Sequence, residues 1–376
     1  MATTAALVIV LSVFNGLQEF IGDNYNRFNP PFKIEAKEGK LFSYSEFQAK
    51  NLTSNKVAEV RAVEPVICDL VLVTYNDKQT LATLYGVSET YPDLTGLSAA
   101  TIDGDFNTDT ENGIVFGAGI AGFLGIDMNS YIPVQLFYPK RNKKSFVNPM
   151  DAFKLCNAYP VGVFASNTTY DENSLFVSQT FAKELLDYDN EVSFLAVFPN
   201  EKTVSEKFQK KLTQIVGDEF IVQNHIQQEA LMYKTIKAEN LMVYLILGFI
   251  FILATFNIVG ILGMLIVEKK QDISILHTLG ASKALLKKVF LFTGAMVGIF
   301  GGLFGMCIGL ICCLIQQFFG VISLGTAESS FLLTAYPVAV YFTDFLIVFS
   351  VVTLISLLTS VFSLRGLKNN YLFNKY

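Results

Sequence analysis

The stretch that decides the fold runs from Leu253 to Thr293 and reads LATFNIVGILGMLIVEKKQDISILHTLGASKALLKKVFLFT. It joins the end of one apolar run, a short charged segment and the start of a second apolar run. The first run extends back to Leu241 without a charged residue. As a helix it would be about 40 Å long at ~1.5 Å per residue, more than the ~30 Å of a bilayer's hydrocarbon core. The sequence therefore predicts a transmembrane helix over residues 239–267.

The charged segment between the two runs, residues 268–288, is rich in lysine. Short loops rich in lysine and arginine stay in the cytoplasm, so this loop is predicted to be cytoplasmic. It can hold a small amphipathic helix, with Asp272 as N-cap and Gly280 as a left-handed stop, after which Ser282 caps the next helix. Such a helix either docks in a groove of a soluble partner or is a cytoplasmic turn without a partner.

The same segment resembles lipoprotein-releasing permeases of the LolC/LolE type, which belong to the MacB/FtsX-like ABC transporter permease family. The resemblance begins at Phe256-Asn257-Ile258 and continues through Glu268, Lys269, Asp272, Ile273, Ile275, Leu276, Thr278, Leu279, Gly280 and Ala281. In that family the segment is the coupling helix, seated in a groove of a separate ABC ATPase subunit. The resemblance implies that the residues from Glu268 to Ala281 contact that partner. It also implies that ATP and Mg²⁺ bind to the partner, while this chain binds no cofactor.

Composition and missing motifs exclude several function classes. The chain has 376 residues, of which 52% are hydrophobic, and a formal net charge of −5 without a basic stripe, so nucleic-acid binding is excluded. Its 2 histidines cannot form a histidine-cluster metal site. The sequence contains no G-x-x-x-x-G-K-[ST], G-x-S-x-G or H-E-x-x-H motif. We therefore expect a non-catalytic subunit rather than an enzyme.

Apolar runs and lysine distribution predict four spans with the N-terminus inside. The predicted spans are 1–21, 239–267, 289–315 and 345–364; residues 316–344 form an outer loop and 365–376 an inner tail. Residues 22–238 alternate short strand-like and helical segments, which indicates a folded α/β domain. Among them, residues 66–75 and 80–87 are predicted to be strands joined by a turn at Asn76-Asp77. The fold class is thus an α-helical membrane protein with a large α/β extracytoplasmic domain between its first two helices. The resemblance implies that this is a MacB-like periplasmic domain.

The first span carries residues that the resemblance assigns to substrate. Leu11 to Gly16 resembles a motif at the outer end of the family's first span, and because family members carry a basic stretch before it, we expect a truncated start. The family's lipoprotein path lies beside this span, which implies contact with Val13, Phe14 and Asn15. Ordinary lipid-facing packing explains the same residues equally well.

A second candidate site lies in the α/β domain, where residues 139–158 interrupt the strand pattern with a basic cluster. Most such hairpin loops only connect strands. The resemblance implies a hook that recruits a periplasmic lipoprotein chaperone, with a tip formed by Phe146, Val147, Asn148, Pro149 and Met150. Whether Cys68 and Cys156, in the same domain, form a disulfide is left open.

The third predicted span holds two ladders of glycines four residues apart: Gly294, Gly298 and Gly302, and Gly301, Gly305 and Gly309. Glycine at this spacing lets two helices approach closely in lipid. Ladders on two faces predict two close helix contacts.

These observations favour one permease of an ABC complex that extracts lipoproteins from the outer leaflet of the inner membrane of a Gram-negative-type bacterium. A separate ATPase would drive it, a second permease copy or paralogue would complete it, and a periplasmic chaperone would receive the lipoprotein. The alternatives are a MacB-like efflux permease, an FtsX-like signal transducer and a receptor that transports nothing. A receptor has no need for the coupling segment.

Overall fold

The structure is a computed structural model of the protein. The residues that it describes are 1–45, 47, 60–108, 110, 112–128, 130, 132–141, 152–200, 206–322 and 336–366. The described residues divide into a helical unit, formed by 1–20, 234–322 and 336–366, and a sheet domain formed by 21–233. The predicted hook tip, Phe146 to Met150, residues 323–335 of the predicted outer loop and residues 367–376 of the predicted inner tail lie outside the described residues.

The helical unit consists of long apolar helices and one short helix. Its helices are α1 (Ala2–Phe28, which ends in the sheet domain), α8 (Ala230–Glu268), α9 (Lys270–Thr278), α10 (Lys283–Phe319) and α11 (Phe342–Gly366). Among the described residues, the helical stretches Ala2–Gly22, Ala230–Leu265 and Leu291–Phe319 are long and apolar enough to cross a membrane. The apolar part of α11, Phe342–Leu358, is shorter, so the fourth span stays a prediction.

The sheet domain is an α/β structure in which most helices are short. Its strands are β1 (Phe32–Ala36), β2 (Phe42–Ser43), β3 (Val60–Tyr75), β4 (Lys78–Val87), β5 (Thr101–Gly104), β6 (Gly113–Gly117), β7 (Val134–Pro139), β8 (Phe153–Phe164), β9 (Ser174–Ser178), β10 (Glu191–Val192), β11 (Phe194–Pro199) and β12 (Phe220–Asn224). Its own helices are α2 (Tyr91–Thr95), α3 (Ala118–Leu124), α4 (Tyr170–Asn173), α5 (Gln179–Leu186), α6 (Glu206–Val216) and α7 (His225–Gln228). A single 3₁₀ turn, Ser98–Ala100, precedes β5.

The main sheet has the strand order β12-β1-β11-β3-β4-β9-β6-β8-β5, and β7 pairs with both β3 and β8. The β3–β4 hairpin has the turn at Asn76-Asp77 that the sequence predicts, with Asn76 at φ 51°. Strands β7 and β8 are antiparallel, with Pro139 opposite Phe153. They are the two legs of the hairpin that carries the predicted hook.

Apolar residues are buried on both faces of the sheet, since successive side chains of a strand point to opposite faces. On one face, helices α3, α5 and α6 pack on buried residues such as Val73, Leu84 and Leu136. On the other face, Phe28 of α1 packs with Phe176 and Phe194. Cys68 and Cys156 are free thiols, and burial raises the pKa of each.

Candidate functional site

The predicted coupling segment forms the short helix α9, but its predicted N-cap is wrong. The helix begins at Lys270, so Asp272 lies inside its first turn rather than before it. There the Asp272 carboxylate accepts a hydrogen bond from Lys269 Nζ at 3.1 Å. A carboxylate in the first turn also interacts favourably with the positive end of the helix dipole. Glu268 is the last residue of α8, so a single residue separates the two helices.

The other end of α9 is closed by backbone geometry. Gly280 has φ +98°, a left-handed conformation that favours glycine. Around it, the Ala281 N–H donates to the Leu276 carbonyl and the Leu279 N–H to the Ile275 carbonyl, both at 3.0 Å. The bond from Ala281 to Leu276 is the long-range bond of a Schellman stop. The helix therefore ends sharply, as the sequence predicts.

Helix α10 starts directly after this stop. The Ser282 hydroxyl oxygen accepts from the Leu285 N–H at 3.2 Å, as the sequence predicts for an N-cap. Short connections on both sides thus hold α9 between two membrane-spanning helices. Thr278, at the end of α9, donates its hydroxyl to the Ile275 carbonyl at 2.7 Å.

Three apolar side chains of the coupling segment are exposed. Ile275 is 57% exposed, Leu276 48% and Leu279 79%. They lie in a charged segment outside the apolar helices, beside Lys269 and Asp272. An exposed apolar patch with a polar rim is typical of surfaces that contact proteins or membranes, and a short helix with apolar anchors has the form that docks in a groove. The side chain of Ile273 is outside what the structure describes.

The first glycine ladder of α10 faces α11. A Cβ on Gly298 would overlap the side chain of Ser356, and one on Gly302 would lie 3.3 Å from Val352 Cγ1. The Ser356 hydroxyl, which is fully buried, donates to the Gly294 carbonyl at 2.8 Å. Small residues on both helices therefore bring the two backbones close together.

The second ladder faces the start of α1. A Cβ on Gly305 would lie 2.7 Å from Thr4 Cβ, and one on Gly309 would lie 3.1 Å from the Ala5 carbonyl oxygen. Gly301 lies farther from α1, since a Cβ on it would be 3.9 Å from the Met1 nitrogen. Helix α10 thus contacts two different helices through two glycine faces.

The middle of α1, which carries the predicted substrate residues, is held by polar contacts. The Asn15 side-chain amide donates to the Asp344 carboxylate at the start of α11. Tyr341 donates its hydroxyl to Glu19 at 3.0 Å, and the Ala339 N–H donates to the Ser12 carbonyl at 3.0 Å. Asn15 is therefore already bonded within the chain, whereas Val13 and Phe14 are partly exposed.

A cleft of about 480 Å³ lies between α1, α8 and α11, beside these residues. Its lining is mostly aliphatic and aromatic and includes Leu7, Leu11, Leu247, Phe251, Val348 and Val351, with Asp344 also in contact. Sequence reasoning missed this cleft because its walls come from helices that are far apart in the chain. Spaced apolar residues within one helix do not show which neighbours they face.

Within the sheet domain, a junction around Tyr170 joins the end of α1 to the start of α8. The ring of Tyr170 stacks on Phe28, with centroids 3.5 Å apart and planes 4° from parallel. The Tyr170 hydroxyl donates to the Glu229 carboxylate, which also accepts from Asn29 Nδ2 at 2.9 Å. Burial, and then the bond to Glu229, raise the pKa of Tyr170, so its hydroxyl stays protonated and donates.

Comparison with known proteins gives one family match and several relatives. Residues 244–372 match the family of FtsX-like permease C-terminal domains. The chain is 23% identical over 345 residues to the lipoprotein-releasing system transmembrane protein LolC of Xylella fastidiosa, covering 89% of this chain and 79% of the relative. It is 22% identical over 317 residues to LolE of Haemophilus influenzae, covering 82% and 74%. The periplasmic region of MacB from Actinobacillus actinomycetemcomitans aligns with 15% identity and a TM-score of 0.36, covering 55% of this chain and 92% of that one.

Proposed function

We propose that this chain, an ABC transporter permease of the FtsX-like family and of the LolC/LolE type, extracts lipoproteins from the outer leaflet of the inner membrane of a Gram-negative-type bacterium. This proposal rests mainly on the similarity to a lipoprotein-releasing protein. The similarity extends over 89% of the chain, so it includes parts of both the helical unit and the α/β domain. We further propose four spans in this chain and a second permease copy or paralogue beside it. A paired permease matches a dimeric ATPase.

An ABC permease works with an ATPase subunit in the membrane, and we assign the contact with that subunit to α9. The exposed side chains of Ile275, Leu276 and Leu279 supply the apolar anchors. The closed ends of α9 give these anchors a fixed orientation, so that a movement of the ATPase groove displaces α8 and α10 rather than bending the loop. ATP and Mg²⁺ bind to the partner, and this chain transmits the movement.

Lipoprotein extraction also needs an apolar path, because each CH₂ of an acyl chain favours the membrane by about 0.8 kcal/mol over water. The cleft between α1, α8 and α11 offers such a surface, and its lining includes Leu11, three residues before Phe14 on α1. For the same reason, release into water requires a carrier. We therefore propose that the hairpin on β7 and β8 presents Phe146 to Met150 to a periplasmic chaperone.

The path is tested by photocrosslinking in the full complex with its ATPase. Crosslinkers placed at Leu11 and Phe14 should capture a lipoprotein before ATP is added and lose it afterwards. A crosslinker at Ile308, which is exposed on α10 and does not line the cleft, serves as the control. Capture of phospholipid alone at Leu11 and Phe14 would contradict the proposal and favour the efflux or transducer alternative.

A further inference from the structure

A cluster of polar and aromatic side chains surrounds the root of the β7–β8 hairpin. Asp69 projects from β3, Tyr138 from β7, and Tyr188 follows the end of α5. The Tyr138 and Tyr188 hydroxyls donate to the same Asp69 oxygen, Oδ2, at 2.7 Å and 2.9 Å. The other oxygen, Oδ1, accepts from the Leu70 N–H at 2.8 Å. The Asp69 carboxylate of β3 thus joins Tyr138 on β7, one leg of the hairpin, to Tyr188, which lies two residues beyond α5.

A second group of contacts holds the chain just beyond this carboxylate. Arg141 follows β7, and its Nη1 donates to Glu191 Oε2 at 2.7 Å. Its guanidinium carbon lies 4.3 Å from the ring centroid of Tyr188, which is a cation–π contact. Tyr188 therefore contacts both Asp69 and Arg141. On the other leg, Lys154 Nζ donates to the Glu184 carbonyl of α5.

These contacts are additional to the hairpin's own hydrogen bonds. The ladder already pairs Pro139 with Phe153, and the Lys140 N–H donates to the Ala152 carbonyl at 2.8 Å. Strand β3 pairs with β7 only as far as Phe137. Beyond that residue the two legs form a two-stranded ribbon, in which the ladder fixes the register but leaves the strands free to bend and twist. Contacts from the legs to β3, α5 and β10 remove that freedom.

The chemistry of the cluster suits a permanent clamp. Burial opposes ionisation of Asp69, but hydrogen bonds from Tyr138, Leu70 N–H and Tyr188 hold the pKa of this carboxyl below its usual range. It is therefore ionised near neutral pH, and hydrogen bonds to an ionised acceptor are stronger than neutral ones.

We propose that Asp69, Tyr138, Arg141, Tyr188 and Glu191 form a root clamp that fixes the direction in which the hairpin legs leave the sheet domain. They are positioning residues and do not themselves contact the partner. The clamp fixes the direction of the two legs up to Arg141 and from Ala152, which reduces the entropy lost when a protein partner binds the hairpin. Only the identity of that partner as a lipoprotein chaperone rests on the proposed function.

The clamp is tested by measuring the orientation of the hairpin in the full complex. Spin labels on noncanonical amino acids at positions 79 and 153, the second on the β8 leg of the hairpin, spare the 5 native cysteines. We expect a narrow distance distribution in the parent protein, and broad ones in Asp69→Asn and Tyr188→Phe. The matched exposed changes Asp103→Asn and Tyr159→Phe should leave the distribution narrow.

Two further measurements separate positioning from stability and from partner identity. The unfolding temperature of the sheet domain should fall by only a few degrees, as expected for the loss of a hydrogen bond to a charged group, while photocrosslinking from position 148 to purified chaperone should fall severalfold in the clamp variants. An unchanged distance distribution in both clamp variants would overturn the proposal, as would broadening accompanied by unfolding of the whole domain. If the distributions broaden but the parent protein never crosslinks to the chaperone, the clamp stands and the chaperone assignment fails.

Discussion

At the scale of single residues, the exposed Leu276 decides whether α9 is a coupling helix or only a turn. Replacing Leu276 with Asp would place an unpaired charge in the ATPase groove, which costs about 3–5 kcal/mol and corresponds to more than a hundredfold (~10²) weaker binding. The measurement is ATPase recovery with the tagged permease after membrane extraction. Leu276→Met conserves volume and should retain the complex.

The matched control is Gln271→Asp, which adds the same charge to an exposed position of the same helix. If this control and Leu276→Asp both retain the ATPase, the coupling role of α9 is wrong.

Asp69 gives a second prediction at this scale, on pH. The pKa of Asp69 is lowered in the folded protein. The contribution of its carboxylate to the clamp is therefore fully present above the usual carboxyl pKa of about 3.9, and it is lost as the pH falls through the pKa of the folded state. The groups facing it are Tyr138, Tyr188 and Lys40, with the Arg141–Glu191 pair adjacent.

The spin-label distance distribution from position 79 to 153 should therefore stay narrow from pH 7 down to about 4 and broaden below that range. In Asp69→Asn it should be broad at every pH. Broadening of the parent protein's distribution between pH 7 and 5 would contradict this assignment.

At the scale of elements, the contact between α10 and α11 depends on the absence of a side chain at Gly298. Gly298→Ala should weaken this contact, because the new Cβ overlaps Ser356, whose hydroxyl is bonded to Gly294. Gly263→Ala, where a Cβ meets nothing in the chain, should be neutral or stabilising by up to about 1 kcal/mol through helix propensity. Thermal unfolding in detergent compares the two.

A compensating change sharpens this test. Ser356→Gly removes the overlapping atoms, so Gly298→Ala combined with Ser356→Gly should be more stable than Gly298→Ala alone. If Gly298→Ala is as stable as the parent protein, the two helices do not pack through this ladder.

The Tyr170 junction is the second prediction for elements. Tyr170→Phe keeps the ring stacked on Phe28 but removes the hydrogen bond to Glu229, and bonds to charged groups contribute about 1.5–3 kcal/mol. We expect the unfolding free energy of the sheet domain to fall by an amount near the lower end of this range, because Asn29 still donates to Glu229. Tyr159→Phe, at an exposed hydroxyl, is the control and should have no effect.

Individual elements also show which features of the fold and site can be predicted from the sequence. The β3–β4 turn, the Gly280 stop and the Ser282 cap are local signals, and the structure has each of them. The predicted start of α9 is wrong, because the apolar spacing that identifies a helical face does not fix the first helical residue. The cleft, the Tyr170 junction and the root clamp could not be predicted, since each joins residues from elements that are distant in the sequence.

At the scale of the whole molecule, the described residues supply apolar helices, a short helix with exposed apolar side chains and an α/β domain, and we propose that the nucleotide belongs to a partner subunit. What passes through the complex is the central question, because efflux, signalling and lipoprotein release would all use the coupling role proposed for α9. Of the three, only lipoprotein release requires the complex to bind a lipoprotein.

The most direct measurement is therefore the identity of the molecule that co-purifies with the nucleotide-free complex. Mass spectrometry of the complex extracted without ATP should find a bound lipoprotein together with the ABC ATPase, and adding ATP with Mg²⁺ and chaperone should transfer that lipoprotein to the chaperone. A complex that carries no lipoprotein, or one whose lipoprotein content does not change with ATP, would contradict the account.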